Sequence, residues 1–65
     1  MNRYELEIVF AERHADGAYE SSRRTVYAFS ETEAATALME ALSVDRGTWP
    51  TITGIVVMNT TQLSV

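Results

Sequence analysis

The side chains that could do acid–base or metal chemistry are few and scattered. His14 is the single imidazole of the chain and lies in a polar stretch, Glu12–Gly17, that ends in the turn-forming pair Asp-Gly. Glu5 and Glu7 are two residues apart, a spacing that puts both carboxylates on one face of a strand. A general base needs a positioned partner and a pocket, and a metal site needs further ligands. The sequence supplies neither and has no cysteine, so we predict a non-enzymatic protein with no catalytic residue, no cofactor and no metal ion.

The charged residues argue against nucleic acid as the partner. Five arginines and nine acidic residues give a net charge of −4. Arg23 and Arg24 are adjacent in a predicted strand and should point to opposite faces, whereas a nucleic-acid groove needs several cations on one face. Nucleic-acid binding through these two residues and Arg13 stays a weaker alternative. The acidic groups are better suited to orienting the domain towards a basic surface of another protein.

The first predicted element is a hairpin. In residues 3–10 apolar side chains occupy every even position, a period of two that is typical of a strand with one buried face. The odd positions of this strand are Arg3, Glu5, Glu7 and Val9. A turn at Asp16-Gly17 then leads to a returning strand over residues 18–29.

The phase of the second strand decides which of its side chains reach the core. We expect Val26 and Ala28 to face the helix, because the small Ala28 lets the helix begin close to the sheet. Tyr27 and Phe29 would then face outward. A bulge near Ser21–Arg23 would change this phase.

A helix follows the hairpin. Ser30 and Glu33 have the spacing of a capping box, in which each side chain accepts a hydrogen bond from the other residue's backbone N–H. Apolar residues then recur at helical spacing, which predicts a helix over residues 31–43 that Gly47 terminates. Trp49 follows in a loop, where we interpret it as a plug for the end of the core. The alternative is an exposed anchor for a partner, since tryptophan is enriched at binding hot spots.

The last predicted strand covers residues 51–59 and does not alternate. We assign Ile52, Val56 and Met58 to one side of it, and Ile55 and Val57 to the other. Gly54 inside the strand suggests a bulge or the close approach of another backbone. Residues 47–65 contain no charged side chain, although natural edge strands usually carry one to block pairing with other chains.

These elements predict an α+β fold of one domain over residues 1–65. The order is ββαβ, and the right-handed crossover rule lets strand 3 lie beside strand 1. The result is a three-stranded antiparallel sheet in the order 2-1-3, with one helix on one face. No apolar stretch approaches the roughly 20 residues that span a bilayer, and nothing resembles a signal peptide, so we expect no membrane partner.

One helix covers only one face of such a sheet, which leaves the other face and the edge of strand 3 open. We therefore predict a protein-binding module that docks a host protein complex, or a second copy of itself in a homodimer, through this face and edge. The predicted contact residues are Glu5, Glu7, Val9, Tyr27, Ile55 and Val57. The alternative is that the tail, Thr60–Val65, folds back and covers the open face within one protomer.

The run Tyr27-Ala28-Phe29-Ser30-Glu31-Thr32-Glu33-Ala34, between a hairpin and a final strand, resembles small phage-encoded inhibitors of host machinery. Among them are the RNA polymerase inhibitors of T7-type phages and several anti-CRISPR proteins of similar size and acidity. The resemblance implies an inhibitor that occludes a bacterial complex in the host cytoplasm. The polymerase inhibitors have arginines in the last strand, where this sequence has Val56, Val57 and Met58, so none of their binding residues is carried over.

Overall fold

Three antiparallel strands form one sheet in the order β2-β1-β3. The computed structural model describes residues 1–63. Its elements are β1 (Asn2–Arg13), β2 (Tyr19–Ala28), α1 (Glu31–Arg46) and β3 (Ile52–Gln62). The predicted element order, strand order and antiparallel pairing are confirmed. β1, α1 and β3 are longer than predicted, because their regular hydrogen bonding continues past the apolar residues that mark them in the sequence.

The core lies between α1 and the central strand β1. Its eight residues are at most 4% exposed and include all four even apolar positions of β1. They are Tyr4, Leu6, Ile8, Phe10, Ala28, Ala34, Leu38 and Leu42. The period of two gives β1 one apolar face, and the helical period gives α1 another. These two faces pack against each other, so the buried residues lie between the helix and the strand.

β2 keeps one phase along its whole contact with the apolar part of β1. The register runs without interruption from Ser21 opposite Val9 to Ala28 opposite Asn2. The irregularity begins beyond the pair Val9–Ser21, on the side of the hairpin turn, so it does not change the phase of residues 21–28. Ala28 is therefore buried and Val26 packs against the core, while Tyr27 and Phe29 are exposed, all as predicted.

Ser30 and Gly47 lie at the two ends of α1 as predicted, but within residues 1–63 only one of the two bonds of the capping box forms, since the Glu33 carboxylate accepts none from the Ser30 N–H. The Ser30 hydroxyl accepts a hydrogen bond from the Glu33 backbone N–H at 3.1 Å, which satisfies one of the free donors in the first turn. Gly47 follows the last turn with φ 75°, a left-handed conformation that costs glycine little.

Arg46, and not Trp49, covers the end of the core. The Arg46 guanidinium carbon lies 4.1 Å from the centre of the Phe10 ring, and its Nη1 is 3.8 Å from Glu12 Oε1. Trp49 is 59% exposed, so the interpretation of this residue as a plug is wrong. The Arg46 guanidinium, which lies over the Phe10 ring, thus covers the end of the core that the Trp49 indole was expected to cover.

β3 contains two bulges relative to β1, and they change its phase. Gly54 lies opposite Val9 while Ile52 lies opposite Phe10, so one extra residue, Thr53, separates the two pairs. The bulge that Gly54 suggested is confirmed. A Cβ at position 54 would meet nothing within 4 Å, so no backbone among residues 1–63 approaches it closely.

The second bulge lies between the pairs Glu5–Asn59 and Leu6–Val57, with Met58 as the extra residue. Directly paired residues point to the same side of a sheet. Ile55 and Val57 therefore share the helix side with their β1 partners, and Val56 lies on the open side. The predicted grouping of Ile55 with Val57, on the side opposite to Val56, is confirmed. The placement of Ile55 and Val57 on the open face is wrong, and so is the grouping of Ile52 with Val56, because the bulge at Thr53 shifts the alternation by one residue.

The tail does not fold back over the sheet within the described residues. Thr60–Gln62 extend β3, and the Leu63 N–H donates to the Met1 carbonyl at 3.1 Å. The alternative in which Thr60–Val65 covers the open face is thus wrong for residues 60–63, while residues 64–65 lie outside the described part. Over residues 1–63, no helix is both long enough and apolar enough to cross a membrane.

Replacing Ser30 with alanine should lower the free energy of unfolding by about 1 kcal/mol, because the Glu33 N–H loses its acceptor. Urea titration followed by far-UV circular dichroism measures the change. Ser43→Ala is the matched control, since the Ser43 hydroxyl bonds the Glu40 carbonyl inside the helix and caps nothing. Equal effects of the two substitutions would contradict the capping role.

Leu38→Ala should lower the free energy of unfolding by about 2–5 kcal/mol, because Leu38 is only 3% exposed and its removal leaves a cavity between α1 and β1. Val44, on the same helix, is 81% exposed, so Val44→Ala should change stability by less than about 0.5 kcal/mol. The same urea titration compares them. If Leu38→Ala lowered the free energy of unfolding only slightly, the contact between α1 and β1 would not be the core of the protein.

Candidate protein-interaction surface

The sheet face away from α1 is predominantly polar. Its side chains come from alternate positions of all three strands, and most of them are charged or hydroxyl-bearing. Two polar contacts cross the strands: Arg23 Nε lies 3.2 Å from Glu7 Oε2, and Arg3 Nη2 lies 3.5 Å from Thr61 Oγ1. A face of this kind is stable in water, so it does not by itself require a partner.

Four of the six predicted contact residues lie together on this open face. Glu5, Glu7 and Val9 occupy alternate positions of β1, and Tyr27 lies opposite Arg3. Glu5 and Tyr27 are exposed, whereas Glu7 and Val9 are half-buried by their neighbours. The other two predicted residues, Ile55 and Val57, lie on the opposite side of the sheet and do not join this group.

β3 has a continuous run of exposed apolar side chains. Val56, Val57 and Met58 are consecutive and are 50%, 38% and 47% exposed. We call these three residues the β3 strip. Val56 is on the open face, which no helix covers, and the backbone of α1 approaches β2 more closely than it approaches β3. Val57 thus remains partly exposed although it is on the helix side of the sheet.

The surroundings of the β3 strip contain no charge on their own strand. Every described residue from Gly47 to Leu63 is uncharged, and Trp49 exposes its indole in the loop before β3. Burying such a surface requires no charged group to leave water, and the cores of protein interfaces are likewise depleted of charge. The β3 strip therefore has the chemistry of an interface core.

The arginines are too dispersed to form a nucleic-acid groove. Arg23 and Arg24 lie on opposite faces, as predicted, since they pair in register with Glu7 and Leu6. Each described arginine contacts a different group. The partners are Thr61 for Arg3, Tyr19 for Arg13, Glu7 for Arg23, Ser22 for Arg24 and Glu12 for Arg46.

His14 lies at the hairpin turn and is exposed. Its backbone N–H donates to the Ala18 carbonyl at 2.7 Å, and its carbonyl accepts from the Gly17 N–H at 3.0 Å. The residue thus serves the turn through its main chain. Among residues 1–63, no three histidine, aspartate or glutamate side chains come together as a metal-binding group.

Comparison with known proteins assigns no family to the chain, since no family model matches it, and neither does any curated protein or solved structure.

Sequence reasoning missed two members of the β3 strip, Val56 and Met58, as contact candidates. The sequence did show that this segment is uncharged, and Gly54 did indicate a bulge. The position of the extra residue depends on how β3 pairs with β1, so the side on which each apolar group emerges was not visible in β3 alone.

The ion pair between Glu7 and Arg23 should contribute less than about 1 kcal/mol to stability, because the Arg23 side chain is 75% exposed and water screens the interaction. A double-mutant cycle with Glu7→Gln and Arg23→Gln measures the coupling free energy, which should fall further in high salt. The control is Glu5→Gln, since Glu5 pairs in register with Thr25 and not with an arginine. A coupling of several kcal/mol would contradict the solvated character of the open face.

Proposed function

We propose that this protein is a non-enzymatic protein-binding module that docks a partner protein along β3. The observation that supports the proposal is the β3 strip, in which three consecutive apolar side chains are at least 38% exposed on a strand without charge. Covering apolar surface is favourable by roughly 25 cal/mol per Å². A partner that covers the strip gains this energy from a strand that itself contributes no ion to the interface.

The charged groups of the domain would orient the partner. The net charge is −4, and Glu5 is exposed on the open face, next to β3 in the register with Asn59. Acidic groups beside an apolar strip favour a partner whose own apolar patch is bordered by lysine or arginine. The residues proposed for contact are therefore Glu5 and Tyr27 on the open face together with the β3 strip.

The resemblance to small phage-encoded inhibitors extends this proposal to the biological role. The partner would be a subunit of a bacterial complex in the host cytoplasm, and binding would occlude a working surface of that complex. Occlusion needs only a stable interface, which is consistent with a domain that offers exposed apolar groups.

A second candidate function is self-association through β3. Two copies that each have a charge of −4 repel one another least where no charge is present, and β3 is such an edge. A two-fold axis would pair the strip of one protomer with the strip of its partner. Sedimentation over a range of concentrations separates the candidates, since a strictly monomeric species would exclude the homodimer.

Val56→Lys should reduce partner binding by at least about tenfold, because it places a charge within the strip. The new ammonium group would lie opposite Glu7, so the fold should tolerate it. The measurement is capture of proteins from a bacterial lysate on immobilised variants, compared band by band with the unmodified chain.

Val44→Lys is the matched control, since Val44 is exposed on α1, away from β3. Bands retained by the unmodified chain and by Val44→Lys, and lost with Val56→Lys, support docking along β3. Equal retention by both variants would overturn the proposal. Loss with Val44→Lys alone would move the interaction to the other side of the molecule.

A further inference from the structure

A groove of about 370 Å³ runs between α1 and β2, on the side of the molecule away from the β3 strip. Val26, Leu38 and Leu42 contribute its apolar floor, and Ala37 and Ala41 form the helix wall. Both alanines are exposed, so their small side chains leave the space beside the helix open. Arg24 and Asp45 add one cation and one anion to the lining, whose remaining members are Thr25 and Tyr27.

The groove borders a free strand edge. Within residues 1–63, β2 pairs only with β1, so the backbone donors and acceptors on its other edge have no strand partner there. The register of β2 is continuous from Ser21 to Ala28, which makes this edge a regular template. β3 is different, because its two bulges interrupt the regular spacing that strand addition needs.

We propose that this groove binds an extended basic segment of a partner protein, which adds to β2 as a fourth strand. The site goes beyond docking along β3, because it uses the opposite edge of the sheet and main-chain hydrogen bonds. In this mode of recognition the backbone supplies affinity, and pockets for alternate side chains supply specificity.

The dimensions of the groove suit a strand. A strand added to β2 would lie about 4.8 Å beyond it, with every second side chain on the helix side of the sheet. Those side chains would enter the groove between Val26 and the alanine wall. Apolar residues at alternate positions of the segment are therefore required.

The charge of α1 determines the remaining chemistry of the segment. Of the four acidic residues of the helix, Asp45 lines the groove, and Glu31, Glu33 and Glu40 are exposed outside it. The one basic residue of α1, Arg46, is held by Glu12 and Phe10 at the end of the core. Arg24 is turned along β2, since its Nη1 donates to Ser22 Oγ at 2.6 Å and to the Arg23 carbonyl at 3.1 Å. Lysine or arginine between or beside the apolar positions would thus be attracted to the helix wall.

Selection from a library of short random peptides tests this inference with the full chain as the target. We expect the retained peptides to have apolar residues at alternate positions, to contain lysine or arginine, and to lack proline within the paired stretch. Replacing the basic residues of the best peptide with glutamate should weaken its binding to the protein by at least about tenfold. Selection of no common pattern, or of acidic sequences, would overturn the inference.

Two variants of the chain locate the binding site. Ala37→Trp fills the groove from an exposed helix position and should weaken the selected peptide by about tenfold or more. Thr36→Trp is the matched control, because Thr36 is exposed on the other side of α1 and lines no part of this groove. Equal binding by the two variants would overturn the assignment, and their circular dichroism spectra show whether each is folded.

Amide hydrogen exchange distinguishes this site from the proposed docking along β3. Strand addition should slow exchange of amides within residues 21–28 when the peptide is bound. Val56→Lys should leave this protection unchanged. Slowed exchange confined to residues 52–62 would overturn peptide binding in the groove and support docking along β3. Slowed exchange of the β2 amides, together with partner capture that Val56→Lys leaves unchanged, would support the groove and overturn docking along β3.

Discussion

The packing of one face of β1 against one face of α1 is the contact on which the fold depends. β1 supplies half of the buried residues and is the only strand that pairs with both others. Its alternation of apolar and polar residues fixes which side of the sheet the helix covers, and a shift by one residue would expose the whole core set. The same contact determines which residues of α1 are buried, since Ala34, Leu38 and Leu42 recur about once per turn and face the strand.

The helix covers the sheet unevenly, and this asymmetry gives the two edges different properties. α1 lies nearer to β2, where a groove with small side chains remains between helix and strand. On the other side the helix leaves β3 partly uncovered, so apolar side chains reach the solvent there. One edge is therefore regular and bordered by charge, while the other is bulged, uncharged and apolar. A single small core thus produces two chemically distinct surfaces.

The sequence was sufficient to predict features that depend on local spacing. Alternation in β1 and the cap at Ser30 involve neighbours along the chain, so the strand, the helix and the ββαβ order were predicted correctly. The phase of β3 was not, because a bulge is a relation between two strands, and the sides of Ile55 and Val57 depend on it. The interpretation of Trp49 failed for a similar reason, since the approach of Arg46 to Phe10 is a contact between the end of α1 and β1, which are far apart in sequence.

The central position of β1 has a consequence for how the chain acquires its structure. β1 and β2 are joined by a short turn, whereas β3 must return across the whole helix to reach the same strand, as the bond from Thr53 to the Val9 carbonyl shows. Contacts between residues so far apart in sequence close slowly, because a long loop must first be ordered. The hairpin and the helix involve neighbours along the chain, so they can form before β3 reaches β1. Closure of this long connection should therefore set the folding rate, and until then the second edge of β1 is unpaired.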